Sequence, residues 1–528
     1  MTDTSTGQIS SRVAMIVMIG CSSVVMLDNT MINVALPTIG RQMHLDTADL
    51  QWIIDGYTLV FAGVMLTAGA ACDRYGKARI LVIGLVAFVA VSTAVTQASS
   101  ADEIILGRAA LGLSAALVYP PTLGLVVAIA VSRVKGNTAV DVARSRALAV
   151  WASAGGIGVA CGPLVGGWLL EHYDWHSIFV LNIPLGLIAL AAIWFTRYEL
   201  SEVSEATEDM NDPRHRISIL GACLSMAAVG LVVYSIIEAP VSGWTSRDSL
   251  IRYIAGAVSA GLLILHQRRT SAPLVPWNMF RDRRMSLGSF AVLMAFGSLF
   301  GLVFVLTLYF QLVRQASALT AGAMLLPFAV AMAVGALLAT AVHERFGWAL
   351  PISAGFGVVA LGVWSFTRIE PGASYWAYPF IGLSISGLGF ALIQVPATAC
   401  IMTSLRPNAF GIGSAVNDTA REVGGAVGVA VLGSIFSTVF TRRLGSPEQF
   451  EHSDSLAELV VGASAPNGPE STSEIRGTLI RDGFLPALHA SSLVAASMMV
   501  VTGLLIAGLS LCLAARRADL CPLIGNRL

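Results

Sequence analysis

Charge is scarce in this chain. Of its 528 residues only 12% are Asp, Glu, Lys or Arg, about half the share usual in a water-soluble protein, while 55% are hydrophobic and the mean hydropathy is +0.74. Such a composition excludes water as the main solvent and leaves no room for a sizeable soluble domain. Neither sign dominates: 32 basic and 32 acidic residues cancel, which excludes the basic surface a nucleic-acid partner would need. The seven cysteines (Cys21, Cys72, Cys161, Cys223, Cys400, Cys512, Cys521) are odd in number and without close pairing, so they read as small packing residues rather than disulfide or metal ligands. The eight histidines show no metal-ligand spacing, and no metal is expected. Ala71 to Ala78 ends in Gly76-Lys77 but lacks the leading Gly and trailing Ser or Thr of a phosphate-binding loop. With no catalytic cluster either, neither an enzyme nor an ATPase is expected, and no cofactor. Energy for any work must come from a gradient.

What the chain has instead is apolar runs of the roughly 20 residues that cross a bilayer. They fall at roughly 13–36, 49–71, 79–97, 102–130, 146–170, 176–197, 217–238, 250–266, 286–312, 320–342, 348–367, 375–402, 411–440 and 484–515, and predict an all-α integral membrane protein of fourteen transmembrane helices. The first twelve residues hold no small-x-small cleavage site, so the first run is expected to be a retained helix. Lys and Arg stay on the cytoplasmic side, and Arg74, Lys77, Arg79, then Arg133, Lys135, Arg144, Arg146, then Arg268, Arg269, Arg281, Arg283 and Arg284 fall in alternate loops. Both termini are therefore expected in the cytoplasm of a multi-pass protein of the cell inner (plasma) membrane. The long loop 441–483, external in this topology, breaks the trend with Arg442, Arg443, Arg476 and Arg481; long loops follow the charge rule poorly.

A short pattern occurs twice. Asp73-Arg74-Tyr75-Gly76 closes the second run and Glu344-Arg345-Phe346-Gly347 closes the tenth. Pro120-Pro121 is echoed by Pro396, and the glycine-rich fifth run by the thirteenth. The simplest reading is two six-helix repeats, 1–200 and 286–528, joined by a two-helix insert with polar flanks at 201–285. Internal repeats with a site at their interface are a habit of transporters.

Several local motifs are more specific. Leu27-Asp28-Asn29-Thr30-Met31-Ile32-Asn33 closes the first run and Gln51-Trp52-Ile53-Ile54-Asp55-Gly56-Tyr57 opens the second; Gly69-x-x-x-Asp73-Arg74-x-Gly76-Lys77-x-Arg79, Arg108-x-x-x-Gly112 and Gly158-x-x-x-Gly162-Pro163-x-x-Gly166-Gly167 follow in order. Together with Asn182-x-Pro184-x-Gly186, Pro327 and Gly413 to Asp418, they resemble the major facilitator superfamily, specifically its fourteen-helix drug:proton antiporter branch. Departures are Leu111 where the family has Gln, Ala78 where it has a basic residue, and Ser218 where an acid is usual. The resemblance implies a multidrug efflux transporter driven by a proton gradient. It implies a cytoplasmic gate at Gly69, Asp73, Arg74, Gly76, Lys77 and Arg79, and an antiporter motif at Gly158, Gly162, Pro163, Gly166 and Gly167.

The residues themselves support part of this. A charge at the bilayer centre costs about 2.5–3.5 kcal/mol on insertion scales, so it faces a wet cavity or a partner. Asp28, Asp55 and Arg108 lie about 9–12 Å deep at 1.5 Å per residue and are expected to meet at one level. Two readings stand open: proton-coupling carboxylates whose proton affinity changes as a cavity opens, or a static ion pair that sets helix register. Which of Asp28 and Asp55 is the principal proton site is also open. Asp73 is expected against the N-terminus of the thirteenth helix, where negative charge is favoured, a contact present only with the inner gate shut. The glycines of the fifth run read equally as close helix packing. Asp418, Arg421 and Glu422 share a helix face; they form a second charge cluster or simply neutralise one another. Asn33, Trp52, Tyr57, Tyr119, Tyr309 and Gln311 are candidates for lining a substrate cavity, against the plainer reading of packing. Expected partners are small lipophilic substrates, protons and membrane lipids, with the chain monomeric. Acidic residues in the outer half favour cationic or zwitterionic amphiphiles. Dedicated export of an endogenous lipid, siderophore or secondary metabolite is the alternative, and a passive channel the remoter one.

Overall fold

The computed structural model describes residues 3–43, 45, 47–132, 134, 137–205, 218–270, 277–404, 410–444 and 477–520. These form fourteen α-helices: α1 Asp3–Met43, α2 Thr47–Tyr75, α3 Lys77–Val95, α4 Ala101–Val131, α5 Asn137–His172, α6 Ser177–Glu205, α7 Ile219–Ser242, α8 Arg247–Arg269, α9 Arg283–Leu308, α10 Ala318–Phe346, α11 Ala349–Ser365, α12 Tyr378–Thr403, α13 Phe410–Leu444 and α14 Leu485–Leu520. No strand occurs among the described residues. Among the described residues twelve spans are long and apolar enough to cross a membrane; α5 and α7 are not among them, α7 holding the shorter apolar stretch Leu220–Ile236. The outer surface is apolar, with Phe195 82% and Leu337 73% exposed, an exterior that only lipid solvates cheaply.

Helix starts follow local chemistry. Ser100, Ser218, Ser246 and Ser317 each accept a hydrogen bond from the backbone N–H three residues on, and Asp282 accepts from Arg284 N–H, satisfying donors that a helix leaves orphaned. Pro120, Pro121, Pro163, Pro184, Pro327 and Pro396 stand inside continuous helices, which membrane helices tolerate because neighbours re-satisfy the freed carbonyls. Two chain reversals need glycine: Gly76 (φ +91°) after α2 and Gly347 (φ +76°) after α10, where an L side chain would be strained. In both, the arginine two residues before lies over the next aromatic ring, Arg74 on Tyr75 at 5.0 Å and Arg345 on Phe346 at 5.5 Å.

Buried apolar side chains fall into two clusters. One draws on residues from Ala14 to Ile193 with Ala399, Met402 and Ala415; the other runs from Met285 to Ile506. Within the first six helices α1 packs on α4, α5 and α6, α2 on α4, and α3 on α4 and α6; within the last six α9 packs on α12, α13 and α14, α10 on α12, and α11 on α12 and α14. Between them, α2 packs on α13 and α5 on α10. Helices α7 and α8 form a hairpin seated on α2 and α13, pinned where Trp244 Nε1 donates to Ser434 Oγ at 3.0 Å.

The main departures from the sequence spans lie at polar ends. Helix α5 starts at Asn137, α6 continues to Glu205 and α14 to Leu520, because helical hydrogen bonding does not stop where hydropathy does. Both ends of the long loop are helical: Arg442 and Arg443 belong to α13, and Leu479–Phe484 is a π-helical turn leading into α14. Residues 445–476, the rest of that loop, lie outside the described residues.

Candidate functional site

Asp28 and Arg108 are wholly buried and bonded: Arg108 Nη1 donates to Asp28 Oδ2 at 3.0 Å. Asn182 of α6 donates to Asp28 Oδ1 at 2.6 Å, Arg108 Nε donates to the Ile53 carbonyl at 3.2 Å, and the guanidinium stacks 4.2 Å over the Tyr57 ring. One ion pair therefore draws together α1, α2, α4 and α6. Arg108 Nη2 and the Tyr57 hydroxyl are buried with no hydrogen-bond partner among the described residues, a rare state for polar atoms. Asp55 is half-buried and occupies a different position around α2. It stands two residues, about 200° of helix, from both Ile53 and Tyr57, on the side of α2 where Trp52 meets Tyr234 of α7 at 5.8 Å.

The second charge cluster lies where the two apolar clusters meet. On α13 Asp418 accepts from Ser414 Oγ at 3.2 Å and Asn417 Nδ2 at 3.1 Å, and lies 3.6 Å from Arg421 Nη1. Arg421 does more than neutralise it. Its Nη1 donates to the Tyr119 hydroxyl of α4 at 2.7 Å, its Nη2 approaches Met26 Sδ of α1 at 3.9 Å, and its guanidinium lies 4.5 Å from the Phe296 ring, 5.2 Å from Tyr119 and 5.6 Å from Trp151. Glu422 is also buried yet forms no hydrogen bond or ion pair among the described residues. A row of rings joins the two clusters: Tyr57 to Phe61 at 5.6 Å, Phe61 to Tyr119 at 6.1 Å, Tyr119 to Trp151 at 5.1 Å.

At the far end of α2 Asp73 Oδ2 accepts from the Ile412 N–H at 2.8 Å, within the first turn of α13. Lys77 Nζ lies 3.5 Å from Asp73 Oδ1; although a lysine, it is buried, its stem lying beside Gly124. Gly69 is buried, Arg74 half-buried and Arg79 exposed.

Two faces divide the α5 motif. A Cβ on Gly158, Gly162 or Gly166 would press on α1 at Ser23, Thr30 or Met31, whereas Gly167 abuts Leu319 and Pro163 abuts Gly322, both of α10. The first face closes the α1–α5 seam; the second touches the other set of six helices.

Of the remaining cavity candidates, Tyr309 is buried against Phe310 and Phe484, Gln311 is half-buried in a π-helical turn Tyr309–Val313, and the Asn33 side chain lies outside the described residues. The sequence reading placed Asn182 in a motif but not in the site. Its signal was a lone amide in an otherwise apolar run, which lipid does not tolerate without a partner.

The helix order and motifs meet a known family model. Residues 18–429 match the Major Facilitator Superfamily. The chain belongs to that superfamily. Superfamily members similar to it include the multidrug resistance protein Stp of Mycobacterium tuberculosis (strain CDC 1551 / Oshkosh), 30% identical over 90% of this chain and 88% of that one. Others are the tetracenomycin C resistance and export protein of Streptomyces glaucescens, 31% identical over 89% and 83%, and the multidrug efflux pump LfrA of Mycolicibacterium smegmatis, 30% identical over 83% and 84%. Among solved structures the fold resembles the human organic anion transporter MFSD10, with a TM-score of 0.60 and 14% identity over 94% of this chain and 99% of that one. Superfamily membership, the apolar exterior and the spans make this a multi-span membrane protein.

Proposed function

We propose that the chain is a proton-coupled secondary antiporter of the cell inner membrane that exports lipophilic cationic or zwitterionic molecules by alternating access. In this reading residues 1–200 and 286–528 are two six-helix halves that rock about their interface, 201–285 is an insert, α5 and α7 also cross the bilayer, both termini are cytoplasmic and the chain works as a monomer. Support for the halves comes from matched helix packing, the two apolar clusters and the paired turns at Gly76 and Gly347. The observation that carries the mechanism is the Asp28–Arg108–Asn182 network, wholly buried inside membrane-spanning helices. Buried carboxylates are costly there and mark proton relays. Arg108 is the counter-ion of Asp28 in this arrangement, and movement of α1 against α4 would part the two and open the carboxyl to a proton.

Purified protein in weakly buffered detergent is expected to release protons when a substrate such as ethidium binds. Single-channel currents, or transport indifferent to the pH gradient, would overturn antiport. A narrower reading, export of one secondary metabolite, draws support from the tetracenomycin relative. Drug panels on a deletion strain, set against metabolite profiles of its medium, separate the two.

Asp73 serves in this scheme as the inner latch, since its carboxylate faces a helix N-terminus only while α2 and α13 touch. Asp73→Asn keeps an acceptor oxygen but loses the charge. At about 0.3–1 kcal/mol, the sealed-to-open ratio read by spin-label distances across that seam is expected to fall about two- to fivefold.

A further inference from the structure

A guanidinium inside three aromatic rings is a positive charge in the type of site that organic cations prefer. Phe296, Tyr119 and Trp151 come from α9, α4 and α5, so the cage spans both apolar clusters and forms only where the two sets of helices meet. Its occupant is part of the protein. Arg421 is held there by the Tyr119 hydroxyl at 2.7 Å and by Asp418 at 3.6 Å, while its own Nε is buried with no hydrogen-bond partner among the described residues. The next residue, Glu422, is a buried carboxylate with no hydrogen bond or ion pair among the described residues. Around the interface the acidic side chains Asp28, Asp418 and Glu422 outnumber Arg108 and Arg421, a composition that suits a cationic visitor.

We propose that the Phe296, Tyr119 and Trp151 cage is the subsite for planar organic cations, and that Arg421 is its resident competitor, which a bound cation displaces toward Glu422. Arg421 is thereby a specificity-determining residue. A neutral molecule gains nothing from ejecting a guanidinium from aromatic faces, whereas a cation replaces one such contact with another and frees Arg421 to close on Glu422, which forms no hydrogen bond or ion pair among the described residues. The inference deepens the export reading and rests on it for its physiological meaning, yet its test needs no gradient.

Ethidium binding to the purified full-length protein, followed by fluorescence polarisation, reads the competition directly, with Nile red as the neutral control. Arg421→Gln is expected to tighten ethidium about fivefold or more, cation–π contacts and their competition being of that size, and to leave Nile red unchanged. Tyr119→Phe keeps the ring but removes the acceptor that holds Arg421; it is expected to tighten ethidium about two- to threefold. Adding Phe296→Ala should undo either gain. Should Arg421→Gln misfold, Tyr119→Phe decides alone. Unchanged or weakened ethidium binding in the folded variants, or equal tightening of both dyes, overturns the cage. Loss of proton release with the competition intact would instead overturn antiport and leave the cage standing.

Discussion

With Asp28 replaced by Asn, efflux driven by an imposed pH gradient in proteoliposomes is expected to fall about 100-fold or more, because a proton site deep in a membrane-spanning bundle has no solvent to substitute for it. Asn keeps the shape, one acceptor oxygen for Arg108 and a contact for Asn182, but it cannot take up or release a proton. The uncharged change leaves Arg108 without its counter-ion, and breaking a buried pair from one side costs about 3–5 kcal/mol. Lost activity alone would therefore not separate coupling from folding. Two measurements do: substrate exchange without a gradient, expected to persist in Asp28→Asn, and the double variant Asp28→Asn with Arg108→Gln, expected to restore thermal stability while remaining uncoupled. Gradient-driven efflux at the normal rate in either variant would make Asp28 a fixed structural charge. Asp55→Asn is the informative comparison, since Asp55 stands on the other side of α2 from Arg108.

The all-helical membrane class, the pairing of Asp28 with Arg108 and the site of Asp73 at α13 were legible because each follows from one strong physical rule. Apolar length reports a span, an intramembrane charge seeks its opposite, and a carboxylate suits a helix N-terminus. Azimuth was harder. Depth along α2 put Asp55 level with Asp28, yet depth says nothing of which way a side chain points, and the reference direction came only from Ile53 and Tyr57 facing Arg108. Arg421 illustrates the same limit between elements. Spacing on α13 showed its neighbours Asp418 and Glu422, whereas its contacts with Tyr119, Trp151, Phe296 and Met26 depend on four other helices. Aromatic residues were ambiguous for the plainest reason: a ring that packs and a ring that binds are the same ring. What the structure adds is what each ring touches: Tyr57 and Tyr119 lie beneath guanidinium groups, while Tyr309 lies against Phe310 and Phe484.

The glycines of α5 and α13 set the second large effect. Gly162 presents the space its Cβ would fill to Thr30 Oγ1, with Thr30 Cβ at 2.8 Å and the Leu27 carbonyl at 3.1 Å; Gly428 presents the same space to the backbone of Gly297 on α9. Each permits its helix to lie against a neighbour at backbone distance, the arrangement small residues allow in membranes, in the seams of α1 on α5 and of α9 on α13. A methyl at Gly162 meets mainly a side chain, so Gly162→Ala is expected to cost about 1–3 kcal/mol as overpacking does, with partial rescue by Thr30→Ala. At Gly428 the obstruction is main chain and cannot be trimmed, so Gly428→Ala should cost more than that and resist any side-chain rescue. Gly20→Ala on α1, where nothing lies within 4 Å, should be neutral or stabilising, since alanine favours helix by up to about 1 kcal/mol over glycine. Thermal melting of the four variants in detergent orders them as Gly20→Ala, then Gly162→Ala with Thr30→Ala, then Gly162→Ala, then Gly428→Ala. If Gly428→Ala melted like Gly20→Ala, α9 and α13 would not be held at backbone contact, and the Arg421 cage, whose Phe296 precedes Gly297 on α9, would lose the seam that fixes its third wall.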